Sequence, residues 1–477
     1  MSAANHAQDQ PIRSCGINLL RFAPLRKVVQ WRAFPAVLQV AVLMVFIALA
    51  VLGWGRFTPE GVPGKLYAKS NLVNLVIWGL WWPAIIWVTV LFGRAWCMVC
   101  PLEFVSSRAE SAAQRWGIRQ RRLSHFIAAG SLAVCFFAVL QLLVPGIQLH
   151  RVPAYTSVFL VTMLAGAFVV GLVWRDRAFC RGFCPVSLLL NAYGRGGMLA
   201  MRPAEDLPAP AEDRDAVTSP IPAKAETRHC RSLLNTEKLN SNRDCLICGD
   251  CAKAAPGRTR LLLRQPFAAA DHREALAAWP LTLVVMMVSG FVTFELCGVW
   301  KAAEPCFLWL PNTLSKLLHA GAWSGWIQGL WTVVIVPLLL WLALGGATLA
   351  SGGAQTLAEA WRRLALPLAV IVAAGHMAKG LEKFTSWAGF LPYAFKEPAG
   401  VQTALAMSGK TLAQPVAWLS LRDLSVAAMV LVLLAVALAV REARFADPAG
   451  YRRRLLPVGL LGGFYFFLVF GWGNWGI

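Results

Sequence analysis

The chain has 477 residues, 57% hydrophobic and only 14% charged, with a mean hydropathy of +0.56. A soluble domain needs far more polar side chain to cover its surface, so the composition excludes soluble, disordered and fibrous classes and points to an integral membrane protein. The formal charge of +21, from 45 Lys and Arg against 24 Asp and Glu, fits basic loops at an anionic membrane surface and speaks against nucleic-acid binding.

In chain order, residues 1–33 are polar and basic and read as a cytoplasmic N-terminal tail. No small-residue cleavage site follows the first apolar run, so that run is expected to be a true span. Apolar runs long enough to cross a bilayer are expected at 34–56, 72–93, 124–145, 155–174, 278–300, 324–349, 364–385, 418–440 and 455–476. The expected fold is therefore an all-α polytopic membrane protein of about nine helices. Its parts are a four-helix domain (34–200), a cytoplasmic linker and small module (201–275) and a C-terminal membrane domain of about five helices (276–477). The segment Cys306 to Gly325 reads as a re-entrant or interfacial helix. With the N-terminus inside, 34 of the 45 Lys and Arg fall on the cytoplasmic side, which is the orientation the positive-inside rule selects for an inner membrane.

An internal repeat organises the first half. After the second run the chain reads Gly93-Arg-Ala-Trp-Cys97-Met-Val-Cys100-Pro101, and after the fourth Asp176-Arg-Ala-Phe-Cys180-Arg-Gly-Phe-Cys184-Pro185. Each hairpin returns the chain to its starting face, so both cysteine pairs are expected at one membrane edge, near an axis along the membrane normal. Four thiolates would there be within reach of one centre, as ligands of a second cluster or as redox thiols, with Arg94, Arg177 and Arg181 offsetting negative charge. The plain alternative is that each pair is two small buried apolar side chains.

Within the module, Cys230 is followed by Cys245-Leu-Ile-Cys248-Gly-Asp-Cys251-Ala-Lys-Ala-Ala255-Pro256. Cys-x2-Cys-x2-Cys-x3-Cys-Pro is the bacterial ferredoxin run, whose loop places three sulfurs on three corners of a 4Fe-4S cube. Ala255 stands where the fourth cysteine is expected, so Cys230 is the natural fourth ligand. Structural zinc is the competing reading, although zinc sets come as two separated pairs. His229 is adjacent and reads as incidental or as a group behind the ligands.

On these motifs the chain resembles the membrane-bound 4Fe-4S polyferredoxin family of NosR/NapH-type electron-transfer proteins, over about residues 80 to 260. The resemblance implies electron transfer through iron-sulfur centres in the membrane, with quinol as a donor. The chain departs from the family in the two-residue gap of its first pair, in having one ferredoxin run, and in having no flavin-binding domain before the first span.

In the seventh run His376, Lys379, Glu382 and Lys383 recur at three and four residues and share one helix face. A quinone or proton site is one reading of them; lysines reaching to the outer interface with Glu382 as counter-ion is the other. Glu295 and Asp423 are further members to consider. Haem is not expected, since no Cys-x-x-Cys-His is present and His125, His150, His319 and His376 fall at unlike depths. Cys297 and Cys306 lie where a disulfide is permitted. Gly194-Arg-Gly-Gly197 is too short to indicate a nucleotide site. Three functions fit: an electron-transfer protein or quinol dehydrogenase subunit with a redox partner protein, a copper-binding or copper-reducing assembly factor, and a transporter or scaffold with a zinc loop.

Overall fold

The computed structural model describes residues 16–204, 230, 232–236, 239, 241–266, 276–448 and 450–473. Lipid offers backbone groups no partners, so apolar runs satisfy their hydrogen bonds within themselves as helices. Among the described residues eight helices are long and apolar enough to cross a membrane: Ala36–Gly53, Leu72–Phe92, Pro153–Val173, Trp279–Cys297, Gly321–Ala350, Leu357–Lys396, Leu421–Ala446 and Tyr451–Gly471. The protein is a multi-pass, mostly helical membrane protein.

The third of the nine expected runs is the exception. Where one run was expected over 124–145, the chain forms a single turn, His125–Ala128, and then a shorter helix, Ser131–Gly146. Gly130 separates them with φ +97°, and the Leu188 side chain packs against it. A left-handed residue cannot continue a right-handed helix, which is why hydropathy alone overran this break. Cys306 falls within an amphipathic helix, Ala303–Leu317.

The long helix Leu357–Trp387 is the hub. Thr356 caps it, accepting from the Glu359 amide at 3.2 Å, as the position before a first helical turn favours. Of its apolar window, 83% is buried inside the protein. It packs against the Leu421–Ala446 and Trp279–Cys297 helices and against the end of the Leu72–Phe92 span.

A three-stranded antiparallel sheet caps the face that carries the cysteine motifs. Its strands are β1 (Ile17–Asn18), β2 (Leu199–Pro203) and β3 (Thr259–Leu263), in the order β1-β3-β2. The register pairs Ile17 with Leu263 and Met201 with Leu261. Residues read from sequence as tail therefore belong to the module: the short turn Leu19–Arg21 after β1 supplies Leu20, and the helix α1 (Ala23–Gln30) supplies Val29, to a core with Met201, Cys245, Ile247, Ala252 and Leu261. An eight-residue helix and a two-residue strand are too short to leave a periodic signal. The module grows directly from the membrane domain, since the Met198 amide donates to the Leu91 carbonyl at 2.8 Å.

Candidate metal centre

Both copies of the repeat fold alike. In the first, Gly93 takes φ +70°, Arg94 follows, a short helix (Ala95–Val99) carries Cys97, and Cys100 is extended at φ −64°, ψ 127°. In the second, Asp176 and Arg177 take φ +68° and +55°, a helical turn (Phe179–Phe183) carries Cys180, and Cys184 is extended at φ −68°, ψ 117°. Proline disfavours helical geometry in the residue before it, so each Cys-Pro pair turns its sulfur out of the preceding helix. The left-handed step at Asp176 and Arg177 is held by Glu110, whose carboxylate accepts from their amides at 3.0 and 3.3 Å.

The two copies meet at their glycines. A Cβ on Gly197 would stand 2.3 Å from the Gly93 nitrogen, and one on Gly194 would stand 3.3 Å from the Arg94 nitrogen. The basic glycine turn is thus the point where the ends of two helical hairpins touch. It brings Cys97, Cys100, Cys180 and Cys184 close enough for their charged forms to repel one another. Burial pushes the Cys100 thiol well up and the neighbouring sulfurs of Cys180 and Cys97 add to the rise; burial likewise pushes Cys184 up to about 12. As bare thiols they are neutral and poor nucleophiles.

Arg94 and Arg177 tie this edge to the module. Arg177 lies against Cys180, pairs with Glu103 at 3.6 Å and donates from Nη1 to Ser232 Oγ at 3.0 Å. Arg94 lies against Cys97 and faces Asp244 at 3.8 Å. Ser232 is two residues from Cys230 and Asp244 is next to Cys245. Each guanidinium therefore joins a cysteine of one repeat copy to a cysteine-bearing loop of the module. The nearby anionic and thiol groups hold both arginines more firmly protonated than usual, against the opposing effect of burial.

In the module, Ile247 and Gly249 take φ +58° and +77° within the Cys245–Cys251 loop. A β-branched residue with positive φ is a true outlier, costing about 1–2 kcal/mol, and such strain persists where a tight loop is over-determined. The loop rests on α1, because a Cβ on Gly249 would meet Val29 Cγ1 at 2.6 Å. Cys245, Cys251 and Cys230 are near enough to influence one another, and Cys248 is half-buried between them in the chain. Burial pushes Cys245 up to about 11. His229 lies outside the described residues.

Among the described residues no three His, Cys, Asp or Glu side chains are gathered so as to hold a metal ion. Backbone amides at Glu103, Val186 and Ile247 face the sulfurs of Cys100, Cys184 and Cys245, and hydrogen bonds to sulfur are a lever by which proteins tune iron-sulfur clusters. Arg94 is buried and the Arg177 side chain is 11% exposed.

Several residues of the site leave little trace in the sequence. Gln39, a lone amide in the first span and 1% exposed, donates to Glu103 at 2.6 Å and to the Met98 carbonyl at 2.9 Å. Asn242 donates to the carbonyls of Gly197 and Leu199 at 3.2 and 3.0 Å, locking the module to the glycine contact. Only the polar interruption at Gln39 could have been noticed beforehand.

The second polar cluster lies deeper along the long helix. Tyr193, on the helix Ser187–Gly194 that follows Cys184, places its hydroxyl 3.4 Å from His376 Nδ1. Trp82 and Phe291 flank the imidazole, with ring centroids at 6.3 and 5.6 Å. Lys379 bridges Glu382 at 2.9 Å and Glu295 at 3.6 Å, while Lys383 lies over the Trp387 ring. Glu295 joins this patch; Asp423 instead accepts from Ser420 at its own helix start. Cys297 and Cys306 are free thiols, one buried and one exposed. Compared with protein-family models, curated proteins and solved structures, the chain matches none.

Proposed function

We propose that this chain is a membrane-anchored iron-sulfur electron-transfer protein. Cys230, Cys245, Cys248 and Cys251 would hold one 4Fe-4S cluster, and Cys97, Cys100, Cys180 and Cys184 a second. Such groups supply one-electron storage at low reorganisation. The observation that carries the reading is the pair of arginine bridges. Arg177 links Cys180 to the Cys230 loop and Arg94 links Cys97 to the Cys245 loop, so two four-cysteine sets are held against each other by buried cations. Simple packing of small side chains gives no reason to bury two guanidiniums between them, at a desolvation cost of several kcal/mol each.

Quinol is the electron source we favour, with a cytoplasmic donor as the other entry route and a redox partner protein as acceptor. The Tyr193–His376 hydrogen bond sits on the helix leaving Cys184, and about one turn further along the long helix Lys379 pairs with Glu295 and Glu382. The distribution of basic residues supports a cytoplasmic position for the cysteine face.

Anaerobic purification with iron and sulfide analysis tests the reading. About eight irons and eight sulfides per chain are expected for two cubes. Zinc or copper in their place, in a colourless protein, would overturn it and favour the scaffold or copper-assembly function.

A further inference from the structure

The helix α1 carries chemistry that electron transfer does not use. One side of it is occupied: Val29 is buried against Gly249 in the cluster-loop region, and Leu25 packs on the module core. Next to that side, Val28 is 49% and Trp31 54% exposed, and Phe22 just before the helix is 58% exposed. Lys27 lies opposite Leu25 and Val29 and beside Trp31, while Arg26 flanks Val29; both cations are exposed. Between Gly16 and Pro59 the chain has no acidic residue. Lys27, Val28, Gln30 and Trp31 line a shallow open depression.

The position of α1 identifies what covers its open apolar strip. The first apolar span begins at Ala36, six residues after α1 ends, so the helix cannot be far from the bilayer surface. Lys253, on the short helix Asp250–Ala254 that carries Cys251, donates to the Phe34 carbonyl and lies 5.6 Å over the Phe34 ring. The module is therefore fixed to the chain on both sides of this junction. An exposed aromatic and aliphatic strip beside cations, a few residues before the start of a span, is the pattern of a helix lying in the membrane interface.

We propose that α1 lies in the headgroup layer and binds anionic phospholipid, with Val28 and Trp31 among the upper acyl carbons and Arg26 and Lys27 at the phosphates. It thereby acts as a lipid-facing floor for the loop that carries Cys245 and Cys251. Anionic lipid attracts clustered basic residues near the surface more than zwitterionic lipid does.

The test uses the full chain in nanodiscs of equal phosphatidylcholine and phosphatidylglycerol, with p-benzoylphenylalanine replacing exposed Val28. Irradiation is expected to give phospholipid adducts, with phosphatidylglycerol labelled at least threefold over phosphatidylcholine. That preference should vanish in the Arg26→Gln, Lys27→Gln double variant, whose altered residues are exposed and leave the fold intact. Absence of lipid adducts, adducts to protein alone, or equal labelling of the two lipids would overturn the proposal. The readout needs no iron, so its failure would leave the cluster reading standing, and a colourless protein would leave this one standing.

Discussion

The two polar regions of this membrane protein balance their charge in different ways. Around the cysteine motifs, two deeply placed guanidiniums face one buried carboxylate, Glu103, and one half-exposed one, Asp244, and otherwise lean on sulfur. Along the long helix, Lys379 is bracketed by two carboxylates, while Lys383 and Lys69 rest on the rings of Trp387 and Phe390. The two regions therefore differ in what surrounds the charge: each guanidinium of the first has one carboxylate and leans otherwise on sulfur, whereas the second sets three lysines against two carboxylates and rests two of them on aromatic rings.

Breaking either sulfur set should have the largest effect. Cys100→Ala should lower iron from about eight to about four per chain while the module keeps its cluster, and Cys248→Ala should do the reverse; Lys379→Met should leave iron unchanged. Full iron in either cysteine variant would remove that residue from the ligand set. Next in size is Gly197→Ala. Its new methyl meets the Gly93 backbone, and overpacking against main chain costs about 1–3 kcal/mol. The expected outcome is a lower melting temperature and loss of both centres together, and unchanged iron would show that the hairpin ends can part.

A finer cut separates holding the centres from coupling them. Arg177→Met should retain iron yet shift the potential of the membrane-edge centre downward, since a cation that favours the reduced state is gone; an unaltered redox titration would make the bridge merely structural. His376→Ala should slow quinol-dependent reduction at least tenfold while dithionite reduction is unaffected, and equal rates with quinol would retire that region as the donor site. The smallest effect is expected from Ile247→Gly. Relief of left-handed strain returns about 1–2 kcal/mol, but the side chain is 7% exposed and its burial is worth about 1.5–3 kcal/mol. The net should be a loss of about 1 kcal/mol, read as a small drop in the midpoint for thermal bleaching, and a gain would show that strain outweighs packing there.

Much of the site was legible because its chemistry repeats. The Arg-Ala-aromatic-Cys unit occurs twice, and topology alone required both copies to share a face. What the guanidiniums do was legible only in part: proximity to sulfur follows from spacing, but the reach to Ser232 and Asp244 depends on how the module docks. Gln39 was visible as a polar interruption of an apolar run, but one amide barely alters hydropathy and does not name its partner Glu103. The break at Gly130 was missed for the opposite reason, since a run of apolar residues reports burial and says nothing of a backbone dihedral. The tail assigned to residues 1–33 contains β1 and α1 because very short elements owe their existence to tertiary partners.

The pairing of Ile17 with Leu263 sets an order of events during biosynthesis. The outer strand must wait for its partner, translated just over half a chain later, roughly 10–50 s at ordinary elongation rates. By then the helices bearing Cys97 and Cys180 have already been translated. The sheet can close only after that, so under the proposed function iron and sulfide would have to reach a chain already threaded into lipid.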